Sequence, residues 1–450
     1  MTLPQASGPA EVPARAKQAG DSQARWAWVE ASVWTERMLT ALDNGVKGGV
    51  WYALMDKVYR RENLWSAWLK VQANHGAAGV DGQSVRHFAA QAEKYVDELA
   101  VQLRLGQYVP QALRRTYIPK PGSPQPRPLG IPAGRDRVVQ GALRHVLEPI
   151  FEREFADDSY GFRPGRRAQD ALRRVDTLLR QGQVWVVDAD LQRYFDSIPH
   201  GALLARVRER VADGRVLELL TSLLHADILD GLERWTPAAG TPQGGVISPL
   251  LANVYLNPLD HLLARHGFTL IRYADDFVVL CGSEADARVA LRLIQDWTAG
   301  AGLALHPQKT RLVHMGEPRA CFEFLGYCFC RLANGRLSRW PRSKSIQRLK
   351  DRLRDLTPRH SGRGLPEIVR SVNAVLRGWF AYFQHSNPWA FPPVEQWLRM
   401  RLRSILRCRR GQPGRGHGHD HNRWPNAFFA AQGLYSLSAA HAVARQSARR

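Results

Sequence analysis

A chain of 450 residues with a formal charge of +22 and 44% hydrophobic residues has material for two or three domains with sizeable cores. It holds no apolar run long enough to span a bilayer and no apolar core near its N-terminus, which argues against a membrane or secreted protein and for a cytoplasmic one. The positive charge, carried mainly by Arg, points to a polyanionic partner, most plausibly nucleic acid.

The five cysteines form no CxxC pair, which speaks against a zinc site of the usual spacing. Cys321, Cys328 and Cys330 are read as small apolar residues of a strand-like stretch. Residues 1–25, rich in Ala, Pro, Gly and Gln, are expected to be disordered. From Trp26 to Val71 the apolar spacing of Trp26, Val29, Val33, Met38 and Leu39 is helical, Ala78 to Gly82 is a turn, and Ala92 to Leu105 is a second helix. Arg114 to Lys120 forms a short strand that enters a Pro- and Gly-rich loop ending at Pro132, shaped as a hairpin or lid. Lys120 and Arg127 place cations at its base, and a guanidinium there forks onto phosphate oxygens; a basic surface loop is the plainer alternative.

Residues 136–155 read as helix, followed by a rigid turn from Ser159 to Arg166. Its Tyr160, Phe162, Arg163 and Arg166 suit stacking on unpaired bases, and a structural turn fits equally. An apolar run from Val184 then ends in Asp188, Asp190 and Asp196. Asp190 stands where the strand ends, Asp188 shares its side of the pleat, and Asp196 lies beyond. Residues 200–226 read as helical, and the Gly-rich stretch around Gln243 leads to a helix start at Ser248-Pro249.

The run from Phe268 to Gly282 reads as a hairpin with Tyr273-Ala274-Asp275-Asp276 at its tip. Two adjacent carboxylates repel, so a rigid turn holding both calls for a cation, an ordinary polar turn being the plainer alternative; alternation along the strand aims only one of the two fully at the site, and Asp275 is taken as the firmer ligand and Asp276 the weaker. A helix from Glu284 to Ala299 follows, then Lys309-Thr310 and Phe324-Leu325-Gly326-Tyr327. Past residue 340, Ile346 to Leu356, Leu365 to Phe383 and Val394 to Cys408 are Arg-dense amphipathic helices fit to grip RNA or a duplex. Residues 409–423 form an Arg-, Gly- and His-rich linker.

A strand-end Asp190 and a hairpin Asp275-Asp276 can converge across one sheet. Three carboxylates without Cys or His select hard cations, hence Mg²⁺, and two such ions serve in-line phosphoryl displacement. With the basic lid, polymerisation from a triphosphate is favoured over nuclease chemistry.

Taken in order, Tyr117 to Lys120, Asp190 to Asp196, Gly240-Thr241-Pro242-Gln243-Gly244, Tyr273 to Asp276, Lys309-Thr310 and Phe324 to Tyr327 resemble a reverse transcriptase. Gly79 to Gly82, Asn373 to Trp379 and Trp424 to Phe429 narrow the resemblance to bacterial group II intron-encoded reverse transcriptase/maturases, and the lack of the CxxC pairs that nuclease-bearing members carry makes it resemble the endonuclease-lacking, class C-like lineage. The resemblance implies an α+β right-hand polymerase. Its fingers and extension would cover residues 26–183, its palm 184–335 and its helical thumb/maturase domain 340–410, with a basic DNA-binding segment at 411–450.

It further implies that Asp190, Asp275 and Asp276, with the Leu191 carbonyl, hold two Mg²⁺ ions. Lys120, Arg127, Phe195, Gln243 and Lys309 would meet the incoming dNTP, Phe195 excluding a 2′-OH by bulk and Lys309 protonating pyrophosphate. Tyr160, Arg163, Arg166, Arg377 and Trp379 would contact RNA or template. The implied partners are the intron RNA, an RNA template with a DNA primer, and target DNA at the nucleoid, with no membrane. Two alternatives are an RNA-binding splicing maturase without polymerase activity and a domesticated enzyme of defence or DNA repair.

Overall fold

The computed structural model describes residues 25–119, 126–360, 362–412 and 414–447. Lys120, the lid tip through Gln125 and the expected tail apart from Arg25 lie outside them. Eleven strands run through the described residues: β1 Leu113–Ile118, β2 Arg127–Ile131, β3 Trp185–Asp190, β4 Ile228–Asp230, β5 Glu233–Trp235, β6 Thr269–Tyr273, β7 Asp276–Cys281, β8 Arg311–His314, β9 Cys321–Phe324, β10 Tyr327–Arg331 and β11 Leu337–Pro341. The chain forms two compact units, one of residues 1–115, 130–155 and 199–254, the other of 116–129, 156–198 and 255–450.

In the first unit the helical pattern expected over Trp26 to Val71 is broken into pieces. Gly45, Gly48 and Gly49 take φ of 87°, 78° and 71°, which end Glu36–Asn44 before Met55–Val58 and Arg61–Ala73 begin. Helix Gly134–Glu152 is buried along most of its length and packs on Arg61–Ala73, where a Cβ on Gly141 would stand 3.1 Å from Ala67. The single helical stretch expected at 200–226 is two helices, His200–Arg208 and Gly214–Leu224. Asp213 divides them: one oxygen caps Arg215 and Val216 at 3.1 and 3.2 Å, the other accepts from Leu54 and Met55 at 2.6 and 2.9 Å. The pairing of β1 with β4 is parallel, and β4 turns back on β5 in a short hairpin with Gly231 in its turn at φ of 61°.

In the second unit an antiparallel sheet runs in the order β6-β7-β3-β8. Val186, Ile271, Val278 and Leu280 from its strands share a core with Leu172, Val175 and Leu179 of helix Ala168–Arg180. A second antiparallel sheet, β11-β10-β9, adds Phe322, Phe324, Tyr327 and Phe329 to that core. Its other face carries Cys321, Cys328 and Cys330, whose sulfurs converge. The three lie on strands as the sequence suggests, but their meeting is more than small apolar residues require. A strand's period of two and a cross-strand register bring the thiols together, which a search for CxxC spacing cannot see.

The Arg-dense helices are Ser343–Leu356, Leu365–Phe383 and Pro392–Cys408, and they enclose a separate core. Pro366 opens the middle one, and Ile368, Val372, Leu376 and Phe380 recur at four-residue steps on its buried side. Each fully buried aliphatic there contributes roughly 1.5–3 kcal/mol. Among the described residues no helix is long and apolar enough to cross a membrane.

Candidate active site

Strands β6 and β7 pair with Tyr273 opposite Asp276, leaving Ala274 and Asp275 as a two-residue turn. Strand β3 lies on the other side of β7, in a register that sets Asp190 directly opposite Asp276. Directly opposed side chains stand about 4.5–5.5 Å apart at Cβ. The three carboxylates expected to converge are therefore neighbours at one end of the sheet's inner strands. Two residues upstream of Asp190, Asp188 bonds Arg311 Nε of β8 at 3.1 Å. Lys309 Nζ reaches Asp190 Oδ2 at 2.5 Å. Leu191 is buried and framed by two backbone bonds, His306 N–H to the Asp190 carbonyl at 2.7 Å and Gln192 N–H to Ala304 at 2.8 Å.

Electrostatics mark the same place. Burial, then the neighbouring Asp275, push the Asp276 carboxyl up to about 7, against a bond from the Leu325 N–H that lowers it. Asp275 is raised too, by burial and then by Asp190, while its own backbone N–H, Arg127 and Arg272 pull it down. Asp276 is thus a full member of the cluster, although Asp275 is the firmer ligand on the sequence reading.

The turn has a scaffold of its own. Arg272 is wholly buried and forks onto Asp260 of helix Ser248–Arg265, Nε to Oδ1 at 2.8 Å and Nη2 to Oδ2 at 2.5 Å. Its Nη1 donates to the Ala274 carbonyl at 3.1 Å. That residue has φ of 61°, a left-handed conformation that costs an alanine about 1–2 kcal/mol. On the outer side of β6, Arg272 N–H donates to Asp158 at 2.9 Å and its carbonyl accepts from Tyr160 N–H at 2.8 Å.

Gly161 then passes so close that a Cβ would sit 2.2 Å from the Ala274 nitrogen. Because that obstacle is backbone, Gly161→Ala has to displace the hairpin. The expected result is loss of most catalytic activity together with about 1–3 kcal/mol of stability, measured by turnover and urea unfolding; unchanged values for both would show the contact to be soft.

The Ser159–Arg166 turn accordingly braces the hairpin. Arg163 is buried and donates to the carbonyls of Ala156 and Ser159 at 2.5 and 2.7 Å, so its guanidinium holds the turn from within. Tyr160 bonds Asp158 at 3.0 Å, and Arg166 lies over the Tyr160 ring while bonding the Asp157 carbonyl. The half-buried Phe195 ring meets Phe162 edge-on at 6.3 Å. Arg127 is exposed and close enough to lower the Asp275 pKa. Gln243, in the first unit, accepts from the Gly130 N–H at 2.7 Å. Arg377 is exposed, 5.5 Å from the Tyr435 ring.

Sequence reasoning missed Arg272, Asp260 and Gly161. The available signal was a charged residue inside an otherwise apolar strand, Leu270-Ile271-Arg272, which demands a buried partner.

Residues 118–329 match the family described as reverse transcriptase (RNA-dependent DNA polymerase), and residues 346–424 match the group II intron maturase-specific domain. Protein YkfC of Escherichia coli (strain K12) is 35% identical over 289 residues, which are 55% of this chain and 74% of that protein. The chain belongs to the group II intron reverse transcriptase/maturase family.

Another relative, the group II intron-encoded protein LtrA of Lactococcus lactis subsp. cremoris, is 36% identical over 210 residues, covering 46% of this chain and 34% of LtrA. The chain thus spans about a third of the length of LtrA. A solved chain of a partial Cas6-RT-Cas1–Cas2 complex shares 26% identity with a TM-score of 0.36, over 55% of this chain and 41% of that one.

In this reverse transcriptase/maturase, Asp276 also lines a groove of about 700 Å³ with Leu325, Arg342, Arg348, Trp379 and Tyr382. Leu325 and Gly326, at φ of 47° and 82°, form the β9–β10 turn, and Arg342 N–H donates to Gly326 at 3.0 Å. Trp379 Nε1 is buried without a hydrogen-bond partner, an orphan donor inside this cationic and aromatic wall.

Proposed function

We propose that the chain is an RNA-directed DNA polymerase that extends a DNA primer on an RNA template, and that it binds its own group II intron RNA to assist splicing and mobility. The observation that carries this is Asp190 facing Asp276 across β3 and β7, with Asp275 in the adjoining turn. Repulsion and burial raise the pKa of both hairpin carboxyls, and an all-oxygen donor set of this kind fits hard divalent cations. Asp190, Asp275, Asp276 and the Leu191 carbonyl would hold two Mg²⁺ ions, whose charge when bound favours attack of a primer 3′-OH on the dNTP α-phosphate.

The chain's own groups do the rest. Arg127 binds phosphate oxygens beside Asp275. Lys309, held on Asp190, keeps a proton at hand for the departing pyrophosphate. Arg342, Arg348 and Trp379 give the groove beside Asp276 the cationic and aromatic character that suits a primer–template duplex. Arg377, on the exposed face of its helix, is placed for intron RNA.

Primer extension on an RNA template with dNTPs and Mg²⁺ tests this reading, run beside a splicing assay of the flanking RNA. Extension by the unmodified chain and none by Asp190→Asn is expected. RNA binding and splicing without extension would instead support a purely RNA-binding maturase. Phe195→Ala is expected to raise ribonucleotide incorporation roughly 10–200-fold, the range of a 1–3 kcal/mol steric discrimination, as read by competing rNTP and dNTP incorporation.

A further inference from the structure

The outer face of the β9–β10 pair carries four groups that the polymerase chemistry leaves unused. Cys321 stands opposite Cys330, and Glu323 opposite Cys328. Phe322, Phe324, Tyr327 and Phe329 alternate with them and fill the core beneath, which fixes the face on which the thiols lie. Cys321 and Cys330 have Cα atoms 4.3 Å apart and sulfurs in disulfide contact, and the Cys328 sulfur is 3.3 Å from that of Cys330. All three sulfurs lie within 4.8 Å of one another. A disulfide joins two sulfurs and leaves the third unexplained, whereas one thiophilic cation joins all three.

We propose that Cys321, Cys328 and Cys330 form a binding site for a single Zn²⁺-class ion, with a water or other exchangeable ligand at the fourth corner, since the Glu323 carboxylate pairs with Arg342 at 3.7 Å. Tetrahedral ligation with Zn–S near 2.3 Å spaces sulfurs by about 3.8 Å, so small side-chain rotations convert the observed convergence into ligation. The ligands come from two paired strands, so ligation clamps the β9–β10 hairpin. That hairpin's turn supplies the Leu325 N–H that bonds Asp276, which ties the clamp to the position of one site carboxylate. The site takes a soft ion through sulfur and is chemically distinct from the oxygen-only cluster at Asp190, Asp275 and Asp276.

The test uses the reduced, metal-stripped full-length chain titrated with Co²⁺ and then with Zn²⁺. One equivalent of Co²⁺ is expected to give thiolate-to-cobalt charge-transfer absorption, which carboxylates and imidazoles do not produce, and one equivalent of Zn²⁺ should abolish it. Zinc should also raise the melting temperature. Cys328→Ser should lose the absorption and the thermal shift, while Cys408→Ser keeps both. Measurement on the unmodified chain comes first, so a variant that fails to fold does not decide the matter. Absence of the absorption from the reduced chain, its persistence in Cys328→Ser, or a Cys321–Cys330 disulfide that survives reductant and excludes the ion would overturn the proposal.

Discussion

Asp276→Asn is expected to abolish most primer extension and, in metal-free buffer above neutral pH, to melt at a higher temperature than the unmodified chain. The two effects share one cause. Asp276 faces Asp190, adjoins Asp275 and is pushed up to about 7, so its charged form is disfavoured by its own surroundings. In the unfolded chain it releases its proton near 3.9. The folded state therefore binds more protons than the unfolded state between about pH 4 and 7. Stability linked to this group is full below that window, falls as pH rises through it, and is fully lost above about 7. Asn keeps the size and removes the charge, for a gain on the order of 1–4 kcal/mol at pH 8.

The loss of activity follows from the same charge. Ions held there, as proposed above, would supply several kcal/mol of transition-state stabilisation, so extension should fall by about three orders of magnitude. Melting curves between pH 5 and 8, with chelator and with Mg²⁺, check the account. Mg²⁺ should raise the melting temperature of the unmodified chain more than that of the variant. A melting temperature that does not fall with pH in chelator would show that the carboxylates do not repel as described.

Much of this was legible in the chain, and what was hidden has a physical reason. The β6–β7 hairpin, the strand ending at Asp190 and helix Leu365–Phe383 carry strong local periodicity, and each lies where the pattern put it. The pairing of Asp190 with Asp276 is a long-range register that local pattern cannot state; it came from the chemical argument that repelling carboxylates must share a cation. Family membership was carried by the order of short motifs rather than by any single one. The hidden features depend on tertiary contact: Asp260 is separated from Arg272 by a helix end and a turn, Gly161 reaches the hairpin through space, and the three thiols meet across strands. Arg163 reads as an RNA contact because composition cannot tell an Arg that faces solvent from a buried one that holds carbonyls in its own turn.

Arg272→Met is expected to cost about 3–5 kcal/mol, because Asp260 is left buried with its charge uncompensated. Urea unfolding measures that loss directly. The informative comparison is the double variant Arg272→Met with Asp260→Leu, which replaces the buried pair by apolar groups of similar bulk. Such replacements are often neutral for stability, so the double variant should recover most of it. Activity should not recover with it. Ala274 keeps φ of 61° partly because Arg272 Nη1 holds its carbonyl, and no apolar side chain can supply that bond. Released, the turn relaxes toward backbone conformations that alanine prefers, and Asp275 moves with it. Displacing a reacting group by about 1 Å costs on the order of 100-fold in rate. A double variant that is stable, binds RNA and extends primers at least ~100-fold more slowly identifies Arg272 as a positioning residue, acting through the turn on Asp275. Recovery of both stability and extension would reduce the pair to a packing element, and the hairpin would then owe its shape to the Asp158–Gly161 segment alone.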